Sequence, residues 1–506
     1  MKKMQNMALL IAAMMLFMPS LSSGDSEPNQ VVEVMIDNID RNGLTRLAEM
    51  GADIDGVWGS RARIYVSSGI LKEIEALGYR VSVSRRNRDN VSAGYHSYEQ
   101  ITAELKTIAK AHPDICRLYS IGKSYEGRDL WFMKISDNPD TEEDEPEFQY
   151  ISTMHGDEPV GTELSLNLIH LLTESYGKDA RITNLVNEIE IWIMPLMNPD
   201  GYVASNRYNA QGKDLNRSFP DRSRNMPVPR PIETQVMMDW ELSHSPVLSA
   251  NFHTGATLVN YPYDSDPNPD LNYSATPDDA LFIQLALAYS SSNKTIYGSS
   301  YFKQGITNGV EWYYVYGGMQ DWNYIRLGAF QITIELSDLS SPPVSQIPAI
   351  WEDNRESMLK YMEWSLRGVR GIITDADTGK ALKASVSVIG NDHVMYSDPD
   401  AGDYHRILLP GTYRLRFWAD GYVTSETGDI VVGSDNAARV DIQISPVKPG
   451  DIDGSGTIDL ADAIAALRVV AGVDLSVHLH IKADVNADGR IGLEEVIYVL
   501  GKISAL

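Results

Sequence analysis

Between residues 148 and 365 short apolar runs of strand length alternate with longer stretches of helical period, and this alternation constrains the chain more than any other feature. Strand patterns fall at 148–154, 190–197, 248–253 and 330–336, and helical patterns at 159–176, 231–244, 277–291 and 348–365. Strands interleaved with helices of that length predict an α/β domain, a mixed, mainly parallel sheet covered by helices. Such sheets gather ligands at the carboxyl ends of their strands.

The chain around this domain is long, with 506 residues of which 43% are hydrophobic, so it can bury a large core and divide into several domains. Disorder is excluded as its main state. Lys and Arg number 43 against 69 Asp and Glu, a formal charge of -26, which argues against nucleic acid as a partner because phosphate binding needs a basic footprint. An acidic field attracts basic ligands instead. Cys116 is the one cysteine, so no internal disulfide can form.

Lys2 and Lys3, the apolar run 8–18 and the small residues Ser20, Ser22, Ser23 and Gly24 read as a secretory signal over residues 1–23. A secreted chain, extracellular or periplasmic, is therefore expected, with an uncleaved anchor as the alternative. No later segment reads as a membrane helix, so the mature chain is expected to have no membrane span. Residues 24–94 alternate short strand and helix patterns at 31–36, 43–50, 63–67, 71–77 and 79–83, a small α/β unit resembling a pro-segment. The basic run Arg85, Arg86, Asn87, Arg88 after it is either a processing point or a solvated linker. The large domain covers 95–367. Residues 368–446 read as short strands with turns such as Asp375 to Gly379 and Asp420-Gly421, a small β-sandwich. Pro446, Pro449 and Gly450 then lead into a last segment, 447–506.

Chemistry concentrates at two strand ends. His155-Gly156-Asp157-Glu158 follows the 148–154 strand, and His253 closes the 248–253 strand. Two imidazoles and one carboxylate are a ligand set for catalytic zinc with a fourth position open. On its own an H-x-x-E string reads equally as a surface loop, and the strand-end positions are what favour a site.

Further motifs follow in order: Asn198-Pro199-Asp200-Gly201, 214–220 (DLNRSFP), 260–264 (NYPYD), 317–322 (GGMQDW) and 333–336 (TIEL). Together with the histidines they resemble the zinc metallocarboxypeptidases, nearest their regulatory branch of carboxypeptidases N, E and D. The resemblance implies His155, Glu158 and His253 as zinc ligands, with Glu335 as general base and then general acid. A buried structural acid is the alternative for Glu335 when its strand is read alone. The resemblance further implies Arg207 as the donor to the tetrahedral oxyanion, Asn216 and Arg217 as binders of the substrate's terminal carboxylate, and Tyr313 as a mobile tyrosine over the substrate. Asp214 is expected to orient His155 through its other ring nitrogen. Gln320 and Asp264 match the branch's specificity pocket, where a recessed carboxylate favours a C-terminal Arg or Lys. Read without the family, Asp264 is a loop acid and 312–316 an aromatic packing cluster. The sandwich resembles the transthyretin-like domain of the same branch.

The last segment places oxygen-bearing residues at calcium-loop spacing. Asp451, Asp453, Ser455, Thr457, Asp459 and Asp462 form a first loop, with Gly456 at its sixth position; Asp484, Asn486, Asp488, Arg490 and Glu495 form a second, which carries Gly492 at its ninth position. The pair resembles a dockerin, which implies one or two calcium ions and a cohesin-type scaffold as partner. The expected activity is zinc-dependent release of C-terminal Arg or Lys from peptides. Alternatives are a preference for apolar C-terminal residues, a non-catalytic peptide binder on the same fold, and an assembly protein acting through its tail.

Overall fold

A computed structural model describes residues 31–83, 94–473 and 479–505. The leader over 1–23 and the basic run at 85–88 lie outside the described residues. The chain separates into two compact units, the first holding 31–83 and the second the remainder.

The first unit is an antiparallel sheet of β1 (Val31–Asp37), β2 (Asp53–Trp58), β3 (Arg61–Ser67) and β4 (Arg80–Val83) in the order β2-β3-β1-β4. Its helices, Arg41–Glu49 and Ser68–Ala76, start where Asp40 and Ser67 accept from the backbone N–H of Gly43 and Ile70. The sequence pattern misses β2, because Gly56 and a register shift between Ile54 and Gly56 break its alternation.

The second unit is built on eight strands: β5 (Cys116–Lys123), β6 (Asp129–Ile135), β7 (Glu147–Ser152), β8 (Glu190–Met194), β9 (Pro246–His253), β10 (Ala256–Tyr261), β11 (Ile306–Asn308) and β12 (Phe330–Ser337). Their order is β11-β10-β12-β9-β7-β8-β6-β5. The central run β12-β9-β7-β8 is parallel, whereas β10 on β12, β6 on β8 and β5 on β6 are antiparallel. This is the expected α/β arrangement, a mixed sheet with a parallel centre. Strands β7, β8 and β9 are buried at every position, polar residues such as Gln149, Ser249 and Asn251 included, as befits inner strands covered on both faces.

Alternate residues of the sheet feed two apolar layers. Phe148, Tyr150, Ile191, Ile193, Leu248 and Phe252 pack with helices Tyr98–Ala111, Val160–Ser175, Ala180–Glu188, Asp279–Ser290 and Ile347–Met362. Ile151, Trp192 and Met194 pack on the other side, with helix Ile232–Glu241 and with Met319 and Trp322. Edge strand β5 escapes the sequence pattern because it is largely half-buried or exposed and lacks a dense apolar run.

Past Gly368 the chain forms three small sheets. Strand Val369–Asp375 anchors one, Ser385–Val388 with Leu415–Trp418 another, and Gly411–Tyr413 pairs with Ile430–Val432 in the third, around a core of Val369, Ile373, Val386, Leu415 and Phe417. Beyond it, helices Leu460–Val470 and Leu493–Ser504 pack on each other through Ala463, Ala466, Val496 and Val499. Among the described residues no helix is long and apolar enough to cross a membrane.

Candidate metal and substrate site

Parallel neighbours β7, β9 and β12 bring three sequence-distant side chains to one end of the sheet. His253 is the last residue of β9 and stands in register with Glu335 of β12. His155 follows β7 by three residues, in a turn closed by Glu158 N–H donating to the His155 carbonyl. That turn lies against the helix Pro199–Val203, and the contact demands glycine: a Cβ on Gly156 would fall 2.0 Å from the Gly201 carbonyl carbon and 2.3 Å from the Tyr202 nitrogen. Asn198 caps this helix through Gly201 N–H, and its Nδ2 donates to the carbonyls of Met154 and Arg207. Asn198 therefore pins the histidine turn. Asn-Pro-Asp-Gly carries this signal as a side-chain cap followed by proline at the first helical position.

His155, Glu158 and His253 are almost wholly buried and converge. His155 Nδ1 lies 2.9 Å from Glu158 Oε1 and 3.0 Å from His253 Nδ1, and His253 Nδ1 lies 3.1 Å from Glu158 Oε2. Two imidazole nitrogens that close have room for one proton between them. Zinc bonds of ~2.0–2.2 Å in tetrahedral array place ligand atoms about 3.3 Å apart, so the donor set and spacing fit the ion. The surroundings favour positive charge at this point. Burial and Arg207 would lower the His155 imidazole, yet Asp214 and Glu158 outweigh both and hold it at about 10. Burial would raise Glu158, yet His155 and His253 hold its carboxylate well below the ordinary range.

Asp214 sits behind His155, its Oδ1 3.1 Å from Nε2, the imidazole nitrogen facing away from the convergence. Its other oxygen accepts from Arg207 Nε at 3.0 Å, and Arg207 Nη1 reaches within 3.4 Å of Glu158 Oε1. Despite full burial, the charges of Arg207, His155 and Arg217 keep Asp214 ionised, well below its usual range. Asp214 also caps the short turn Leu215–Arg217 through Asn216 N–H at 2.7 Å. Asn216 Oδ1 accepts from Met319 N–H, which leaves its Nδ2 as the donor available to a ligand.

Asp264 follows β10 and is 5% exposed. Its Oδ1 accepts from Gln320 Nε2 at 2.6 Å; the same nitrogen donates to Asn260 Oδ1, and Gln320 Oε1 accepts from Thr333. Both ends of the Gln320 amide are thus engaged, one by Asp264 and Asn260 and the other by Thr333. Asp321 clamps the backbone, accepting from the N–H groups of Asp264 and Ser265. Bare glycines flank the carboxylate: a Cβ on Gly309 would lie 2.0 Å from Asp264 Oδ1, and one on Gly318 would lie 3.1 Å from Oδ2. Burial raises the Asp264 carboxyl to about 7 against the opposing pull of Arg217 and of the Gln320 hydrogen bond. Sequence reasoning gave no role to Asn260, Thr333, Gly309 or Asp321, because their part is to support a neighbour. Tyr313 follows the turn Gly309–Trp312, buried, with its ring 4.6 Å from that of Trp312.

In the tail, Asp451, Asp453 and Asp462 bring carboxylate oxygens within 4.8 Å of one another, and Asp451 Oδ1 is buried without a hydrogen-bond partner. Asp459 instead caps the helix Leu460–Val470, and the Ser455 hydroxyl bonds to Thr457. In the second loop, Asp484 accepts from the N–H groups of Asn486, Ala487 and Gly489; Asp488 accepts from Asn486 Nδ2 and Arg490 N–H, and Glu495 from Val485 and Gly492. Among the described residues its acids form no such three-carboxylate cluster.

Fold and site define a chain whose sheet gathers His155, Glu158 and His253, all buried, at one end, with Asp264 buried after the neighbouring strand β10. Residues 101–357 match the family described as zinc carboxypeptidase, and 368–445 match the carboxypeptidase regulatory-like domain. The chain belongs to the zinc carboxypeptidase family. It is 43% identical to carboxypeptidase D of Homo sapiens over 69% of its own length and 27% of that protein, so it spans about a quarter of that relative. It is 36% identical to the carboxypeptidase N catalytic chain of Homo sapiens, covering 71% of this chain and 89% of that one. The fold agrees with the crystal structure of carboxypeptidase A from Helicoverpa armigera, with a TM-score of 0.55 at 20% identity over 67% of this chain and 98% of the other.

Proposed function

We propose that the chain is a secreted zinc-dependent carboxypeptidase that hydrolyses the last peptide bond of its substrates and prefers Arg or Lys at the end. The buried Asp264 carboxylate, backed by Gln320 and Asn260 and bared by Gly309, carries the preference. A guanidinium or ammonium entering there gains a charge partner, whereas an apolar side chain leaves a buried carboxylate uncompensated.

His155, Glu158 and His253 hold the ion. Zinc, when bound, polarises the scissile carbonyl and lowers the pKa of water toward ~7. Glu335, set in β12 beside His253, takes the proton of the attacking water and returns it to the departing amine. Arg207 donates to the oxyanion that develops on the carbonyl, from a position fixed by Asp214. Asn216 and Arg217 bind the terminal carboxylate, which restricts cleavage to chain ends. Tyr313 closes over the bound end. The residues 24–94 serve as a pro-segment ahead of this domain.

The tail acts as a calcium-stabilised attachment module of dockerin type. Supporting this, Leu460, Ile464 and Leu467 on one helix and Leu493, Ile497 and Leu500 on the other are exposed. In each repeat they stand 9, 13 and 16 residues after the first loop aspartate. Two apolar stripes left in solvent at matching positions suit a partner such as a cohesin-type scaffold.

The test is a set of peptides differing only in their last residue. kcat/KM should be highest for Arg and Lys, and Asp264→Ala should reduce it for those ends by about 10²-fold more than for Leu and Phe. Equal losses across the set would remove Asp264 from the pocket.

A further inference from the structure

The segment joining β6 to β7 holds seven acids between Asp137 and Glu147, and it meets the β-sandwich at a second carboxylate cluster that the peptidase chemistry does not use. Oxygens of Glu142, Glu147 and Asp398 lie within 4.8 Å of one another. Glu147 is 3% exposed; one of its oxygens accepts from Ser245 N–H at 2.8 Å, and the other, Oε2, is buried with no hydrogen-bond partner. Asp398, in the turn after strand Val394–Tyr396, accepts from Asp400 and Ala401 N–H through Oδ1 and from the Ser245 hydroxyl through Oδ2.

The local charge does not balance. Lys134 Nζ pairs with Glu190 at 2.6 Å and stands 4.0 Å from Glu142, so one ammonium serves a group of four carboxyls. His244 is kept neutral mainly by burial. Burial and then Glu190 hold Glu142 at about 8, while burial and Glu142 push Glu147 well above the ordinary range. A buried carboxylate with an unpartnered oxygen, clustered with two other carboxylates, is what a hard cation satisfies.

We propose that Glu142, Glu147 and Asp398 form a calcium site that fastens the β-sandwich to the catalytic domain. All donors are oxygens, and with carboxylates and the neighbouring Ser245 hydroxyl they suit calcium rather than zinc. Two of the ligands come from the sheet domain and one from the sandwich, so the ion ties the two together.

The experiment uses the full-length, zinc-loaded chain and measures calcium bound per chain by equilibrium dialysis, together with the calcium-induced shift in thermal unfolding. Asp451→Asn with Asp484→Asn removes the tail's contribution. In that background one equivalent of calcium should remain, and Glu147→Gln should abolish it or weaken it on the order of tenfold or more, with peptidase activity kept. Should Glu147→Gln fail to fold, Asp398→Asn and the partly exposed Glu142→Gln are expected to give the same loss. The proposal is overturned if the tail-disabled chain binds no calcium, or if it binds and is stabilised equally with and without these carboxylates. It is equally overturned if Glu147→Gln alone raises stability and calcium has no effect on the parent, since protons then balance the cluster.

Discussion

At the level of single residues the site works by making each charge depend on a neighbour. With Glu335 as the proposed base, Glu335→Gln should lower kcat by about 10²–10⁴-fold while zinc content stays at the parent level. Loss of zinc along with activity would make Glu335 a structural acid. Asp264 gives a pH signature. Its carboxyl is raised to about 7, so it is neutral below that pH and charged above it. The ratio of kcat/KM for Arg-ended over Leu-ended peptides should therefore climb between roughly pH 5.5 and 8.5, and a flat ratio would separate Asp264 from specificity. Gly309 makes the same point by shape: a methyl group there meets Asp264 itself. Gly309→Ala should depress cleavage of basic ends more than of apolar ends and cost stability by about 1–3 kcal/mol, read by thermal unfolding.

Among secondary-structure elements, the ones that build the catalytic centre were legible and the ones that support it were not. Strands β7, β8, β9 and β12 announce themselves because buried inner strands are rich in apolar residues, and His155 and His253 stood out by lying at strand ends. Strands β5, β6 and β10 stayed hidden; β5 is partly solvated along an edge. The pairing of Gln320 with Asn260 and Thr333 was equally invisible, since it joins β10, β12 and the turn Met319–Trp322 only after folding. The two tail helices have a core of their own with their loops, in Ile452, Ala463, Ala466, Ala483 and Val499. Deleting 447–506 should accordingly leave peptide cleavage unchanged and abolish attachment to any scaffold; a collapse of turnover would mean that the tail holds up the enzyme.

Taken whole, the chain carries a formal charge of -26 and buries His155, Glu158 and His253 together at one end of its sheet. Three side chains separated by up to 98 positions meet because β7 and β9 are adjacent and parallel. If that convergence is the source of activity, everything else in the account depends on metal reaching it. The most direct measurement is the zinc content and the turnover of an Arg-ended peptide, taken on the full-length protein before and after stripping with a strong chelator and again after zinc is returned. The full-length protein should bind zinc at one equivalent, lose turnover with it and regain turnover on restoration, while His253→Ala neither holds zinc nor responds. Turnover that persists unchanged in stripped protein, or a His253→Ala variant with full zinc and full rate, would contradict the account.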